Sequence, residues 1–143
     1  MPDNTKYLVV PIAIQSITNN GTIRVNLGTT YNYFGLYWGS VDNYNTVSFL
    51  RNGSTVASFT GSQATSPSAA NGNQTADISN TYVNFFDLPV FDSFQLKSVG
   101  RAFEVDNIAV GNTGAPVPEP GTMMLLGTGL LGLAGYGRKR MKK

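Results

Sequence analysis

Apolar and polar residues alternate along most of the chain before Pro116, in short runs broken by turn-forming residues. Tyr7–Ile14 is apolar. In Thr22–Leu27, Ile23, Val25 and Leu27 fall on one face, and Thr22, Arg24 and Asn26 on the other, the period of a half-buried strand. Thr18-Asn19-Asn20-Gly21 between them predicts a turn, because Asn-Gly accepts positive φ at both central positions. From Asn32 to Trp38 the same alternation turns Phe34, Leu36 and Trp38 toward a core and sets Tyr31, Tyr33, Gly35 and Tyr37 on the opposite face. Gly39–Asn43 then reads as a loop.

Thr46–Arg51 and Ser54–Phe59 flank Asn52-Gly53, a hairpin signal whose two-residue loop predicts Arg51 opposite Ser54 and Phe49 opposite Val56. Gly61–Asn80 has no apolar rhythm, and a loop of that length is expected to be mobile or functional. Strand patterns resume at Tyr82–Phe86 and Phe91–Val99. In Ala102–Val110 the phase changes, since Phe103 and Val105 have one parity and Ile108 and Val110 the other. A β-bulge near Asp106-Asn107 is predicted to return both pairs to the core.

Some eight short strands and no helix-period segment before Pro116 predict an all-β fold: an antiparallel β-sandwich, jelly-roll-like, over residues 1–114. A Pro-rich linker follows at 115–120. Prolines at alternate positions (Pro116, Pro118, Pro120) fix φ and remove donors, leaving an extended backbone open to a protease. Residues 121–137 carry no charge and would rise about 25 Å as a helix. A single C-terminal transmembrane helix is therefore expected there. Residues 138–143 form a basic tail expected to stay cytoplasmic, with the body outside. Gly127-Thr128-Gly129-Leu130-Leu131-Gly132 fits a dinucleotide fingerprint, but no strand–turn–helix unit surrounds it and the reading is rejected.

The formal charge of +2 belongs to the tail, where five of the ten basic residues occupy the last six positions. Residues 1–116 hold five basic against seven acidic side chains, so no nucleic-acid footprint is expected. Cysteine and histidine are absent, which excludes disulfides and removes the usual zinc ligands and the bases of Ser-His-Asp and Cys-His catalysis. No enzyme, cofactor or metal is expected. Glu104, Asp106 and Asn107, with Asp42, offer oxygen ligands for Ca²⁺, but nothing resembles an Asp-rich calcium loop, and solvated carboxylates with a turn-forming Asn explain the same residues. A hydrolase would need paired carboxylates about 5–10 Å apart in a cleft. Tyr31, Tyr33 and Tyr37 on one strand face suggest a sugar-stacking platform, with Gly35 letting a ring approach. The simpler account is that tyrosine suits strands and packs under a neighbouring loop.

Val117-Pro118-Glu119-Pro120-Gly121-Thr122, a glycine-rich span with Leu125, Leu126 and Gly127, and the ending Gly137-Arg138-Lys139-Arg140 occur together and in that order. The tail resembles the PEP-CTERM protein-sorting signal of Gram-negative bacteria. That resemblance implies cleavage near Pro118-Glu119-Pro120 by an exosortase, a membrane cysteine protease-transpeptidase, and a link to exopolysaccharide and biofilm. Arg138, Lys139, Arg140, Lys142 and Lys143 would serve as the basic stop-transfer segment. Segments Tyr33–Asp42 and Ala102–Ile108 are similar to parts of exosortase-dependent surface proteins.

The expected protein is thus exported, passes through an inner-membrane intermediate held by the C-terminal helix, and ends at the cell surface or outside the cell. Its expected role is structural or adhesive, with a carbohydrate-binding module as the alternative. Its expected partners are an exosortase, the inner membrane and exopolysaccharide. Met1–Lys6 lacks the basic character of an export signal, so the chain is expected to continue upstream, in which case the sandwich would lack strands and expose an edge.

Overall fold

Residues 7–10 and 20–114 are described by a computed structural model. They form eight strands: β1 (Leu8–Val10), β2 (Gly21–Tyr31), β3 (Tyr33–Gly39), β4 (Asn45–Arg51), β5 (Ser54–Thr60), β6 (Thr81–Phe85), β7 (Phe91–Ser98) and β8 (Phe103–Gly111). Two four-stranded sheets result, in the orders β1-β8-β3-β6 and β2-β7-β4-β5, with every pairing antiparallel. That double-sheet order is the jelly roll predicted from the alternation. Residue contacts divide the chain into Met1–Thr113 and Gly114–Lys143, and every strand lies in the first unit.

The core lies between the sheets. Phe34, Leu36 and Trp38 of β3 are fully buried, as their parity predicts. They meet Val47 and Phe49 of β4 and Phe94 and Leu96 of β7 from the other sheet. Phe34 is the hub, with ring centroids 5.1 Å from Phe49 and 4.8 Å from Phe94. Aromatic rings bury large areas and favour tilted or edge contacts, so this cluster fixes the spacing of the sheets.

The Asn52-Gly53 hairpin forms, with both residues at positive φ (49° and 85°) and Arg51 opposite Ser54. One step further in, the predicted register is off by one. Phe49 pairs with Ala57 rather than Val56, because a bulge lies between Phe49 and Leu50. The predicted bulge in β8 is also present: Gly35 pairs with Ala109 and Tyr37 with Asp106, and Asn107 takes a φ of 50°. It restores Val110 to the core but leaves Ile108 40 % exposed, so only one of the two residues returns.

The 61–80 segment is pinned by its own polar side chains. It contains a short helix, α1 (Gly61–Ala64), and a 3₁₀ turn at Asp77–Ser79. Asn73 Oδ1 accepts the backbone N–H groups of Thr75 and Ala76, and Ser79 Oγ donates to the carbonyl of Ala69. The Ser and Asn content that looked structureless supplies local bonds that replace a ladder.

The expected transmembrane helix is corrected. Among the described residues no helix is long and apolar enough to cross a membrane, and residues 121–137 lie outside them. The expectation read a spanning helix from an uncharged run of about 25 Å followed by a basic tail. Seventeen residues fall short of the roughly 20 a span needs, and six of them are glycine, the poorest helix former after proline. The inner-membrane partner and the inner-membrane intermediate rested on that helix and are withdrawn with it. The turn at 18–21 and the second half of Tyr7–Ile14 also fall mainly outside the described residues.

Candidate functional site

The two outward faces of the sandwich differ in chemistry. Thr22, Arg24 and Asn26 of β2 point out from the second sheet, in register with Lys97, Gln95 and Ser93 of β7, and Thr46 and Ser48 of β4 continue those rows. This face is hydroxyl, amide and cation. The outward face of the first sheet is aromatic, with Tyr33 and Tyr37 on β3, Tyr82 on β6 and Phe86 just beyond it.

Only two of the three tyrosines predicted as a platform share that face. Tyr31 ends β2 in the opposite sheet, paired with Phe91, and packs against the core. The parity argument assumed one continuous strand, but the chain turns a corner at Asn32. There the Asn32 N–H donates to Gly111 O and Asn32 O accepts from Leu88 N–H. The Asn32 side chain also holds Thr113, accepting its N–H and donating to its carbonyl at 2.6 Å each.

Tyr33 is not presented flat to solvent either. Its ring lies 5.3 Å from Phe86, and its hydroxyl donates to Asn84 Oδ1 at 2.8 Å. A Cβ at Gly35 would stand 2.6 Å from Tyr82 Oη and 2.7 Å from Tyr33 Oη. Gly35 does admit an approaching ring, but the rings are the protein's own. Burial, and then the Tyr33 hydroxyl beside it, pushes the Tyr82 hydroxyl above its ordinary range.

Tyr37 remains open, 38 % exposed, in register between Asp106 of β8 and Tyr82 of β6. Beside it is a concavity of about 360 Å³, lined by Tyr7, Tyr37, Gly39, Asn80, Glu104 and Asp106 among others. Gly39 leaves the floor open, and Glu104 Oε2 accepts from Ser40 Oγ at 3.3 Å. Asp106 Oδ1 accepts the N–H of Asn107 at 2.7 Å. Asn80 is committed to the backbone, accepting from Ser40 N–H and donating to Asn73 O and Ala76 O. Tyr7, Tyr82 and Gly39 were missed from sequence because the register that brings β1, β3, β6 and β8 together is long-range.

The candidate Ca²⁺ set is not assembled. Asp42 sits beneath the 61–80 segment, bridged to Asn71, while Glu104 and Asp106 line the groove. Burial pushes the Asp42 carboxyl up, opposed by a hydrogen bond from Tyr44. Among the described residues no three His, Cys, Asp or Glu side chains could hold a metal ion. Glu104 and Asp106 also leave the same strand in the same direction, so they approach a bound molecule from one side. Glycoside hydrolysis needs carboxyls flanking the scissile bond.

The tail is decided by comparison. Residues 116–140 match the model of the PEP-CTERM protein-sorting motif. The chain carries a PEP-CTERM sorting motif. It is thereby an exported, PEP-CTERM-bearing surface protein, and the match assigns the tail a sorting role. The matched stretch takes in Val117–Thr122 and Arg138, Lys139 and Arg140, while Lys142 and Lys143 lie beyond it; all of these are outside the described residues. No curated protein and no solved structure matches the chain.

Proposed function

We propose that the jelly-roll body is the cargo of its PEP-CTERM tail: a structural or adhesive module of the cell surface or extracellular matrix, released to its destination by an exosortase cutting near Pro118-Glu119-Pro120. The observation that carries this reading is the motif match over 116–140. Alternating prolines in Val117–Pro120 suit a protease, since they hold a substrate backbone extended and free of internal hydrogen bonds. A non-catalytic body is supported by the absence of histidine and cysteine from the sequence.

Intact-mass measurement of the full chain, expressed in a host with and without an active exosortase, tests the proposal. The expected outcome is loss of the residues beyond the Pro118-Glu119-Pro120 region only where the exosortase is active, and retention of full mass in a Pro118→Ala/Glu119→Ala variant. The same mass in both hosts would overturn it.

A further inference from the structure

We propose that the groove beside Tyr37 is a binding site for one ring of a non-anionic saccharide. It deepens the adhesive reading above by naming a ligand class, and it relocates recognition from a flat tyrosine platform to a concavity built by β3, β8 and the residue before β1.

The chemistry of the lining selects the ligand. Tyr7, just before β1, and Tyr37 on β3 are 60 % and 38 % exposed and both line the groove. The face of an aromatic ring carries negative charge density and attracts the C–H-bearing face of a sugar. Glu104 and Asp106, two residues apart on β8, stand about 7 Å apart along the strand. Carboxylate oxygens have several acceptor sites each and form short, strong bonds with hydroxyl donors. A ring with an apolar face and a hydroxyl rim uses both kinds of wall. A uronate or phosphate would bring its charge against the Glu104 carboxylate.

Size and floor agree with this. A volume of about 360 Å³ falls at the small end of ligand sites. The floor is Gly39, where an added Cβ would make only ordinary contacts, the nearest 3.5 Å from Glu104. Residue 39 thus has room for a Cβ that would project into the space the glycine leaves open. The concavity near Arg24, Thr30 and Asp92 on the other sheet is of similar size but has no aromatic wall.

The test uses the purified full chain and isothermal titration with three probes: cellotetraose, tri-N-acetylchitotriose and trigalacturonate. Binding of at least one of the first two is expected, with trigalacturonate weaker. Tyr37→Ala should weaken that binding about tenfold or more, the scale of a lost aromatic contact. Gly39→Val should weaken it comparably by filling the floor. Tyr33→Phe, which keeps the ring outside the groove and loses only the bond to Asn84, should leave it unchanged. Emission of the single, buried Trp38 verifies folding of each variant. The inference is overturned if neither uncharged probe binds, if trigalacturonate binds best, or if binding survives both Tyr37→Ala and Gly39→Val. Exosortase cleavage requires no groove, so the sorting proposal stands or fails separately.

Discussion

Trp38 and Phe103 stack in the core with ring centroids 4.4 Å apart and planes 25° apart, tying β3 to β8 beneath the outward face that carries the groove. Both are fully buried, yet the indole Nε1–H of Trp38 meets no acceptor among the described residues. Burying an unmatched donor costs about 1–3 kcal/mol. The stack is a packing device that tolerates a polar cost.

Phe103→Ala should therefore lose about 3–5 kcal/mol, the range for emptying a buried aromatic site. Trp38→Phe should lose clearly less, because the volume it removes is offset by removal of the unmatched donor. Urea unfolding followed by circular dichroism measures both. Equal losses would mean that the indole N–H carries no penalty.

Two glycines separate backbone from contact effects. Gly53 has a φ of 85° with open space where a Cβ would be, so Gly53→Ala should cost about 1 kcal/mol through the backbone alone. Gly35 instead lies under the hydroxyls of Tyr82 and Tyr33, and Gly35→Ala should cost about 1–3 kcal/mol by displacing them. A double-mutant cycle with Tyr82→Ala distinguishes them. Gly35→Ala should be non-additive with it and Gly53→Ala additive.

What could be read from the sequence was local. The parity of Phe34, Leu36 and Trp38, the Asn52-Gly53 turn and the phase slip in β8 are each written within a dozen residues, and each appears in the fold. Errors arose where a local rule met a distant partner. Phe49 pairs with Ala57 because a bulge absorbs a residue inside an otherwise regular hairpin. Tyr31 leaves the tyrosine face because Asn32 spends its backbone and side-chain bonds on Leu88, Gly111 and Thr113, turning the chain between sheets. The groove needs Tyr37 of β3, Glu104 of β8 and Tyr7 just before β1, and their adjacency follows from strand order. At the tail, motif order was specific enough to be matched over 116–140, whereas an uncharged run beside a basic tail did not establish a spanning helix.

Two aspartates should tilt acid stability in opposite directions. Asp92 Oδ2 accepts the N–H of Asn52 at 2.7 Å, and this bond, followed by that from Ser93, holds its carboxyl below the ordinary 3.8. Its contribution is complete above the unfolded value and is lost as pH falls through the lowered folded value. Asp42 is raised, chiefly by burial, so its protonated form is favoured in the native state. That contribution is present below 3.8 and is lost as pH rises through the folded value. Asp92→Asn should flatten the acid limb of a stability–pH profile, and Asp42→Asn should remove a decline above 3.8. Chemical denaturation across the acid range measures both, and a profile unchanged by either substitution would refute the assignment.

Asn80 decides whether the 61–80 segment behaves as a built part of the sandwich. Its amide donates to Asn73 O and Ala76 O, and its carbonyl oxygen accepts from Ser40 N–H, so one side chain joins the segment to the end of β3. No ladder runs through this segment apart from the isolated bridge between Asp42 and Asn71. Asn80→Ala leaves Ser40 N–H and Asn73 O unmatched, while Ala76 O keeps its bond from Ser79 N–H, and each unmatched group costs about 1–3 kcal/mol if it stays dry. Water can reach exposed positions of the loop, which confines the effect to local opening rather than global unfolding. Hydrogen exchange should accelerate at Ser40, Asn73, Thr75 and Ala76, while Phe94 and Leu96 in the central strand β7 keep their protection. Uniform acceleration across β7 would show instead that the segment is part of the global folding unit. No acceleration at all would show that Asn80 is dispensable.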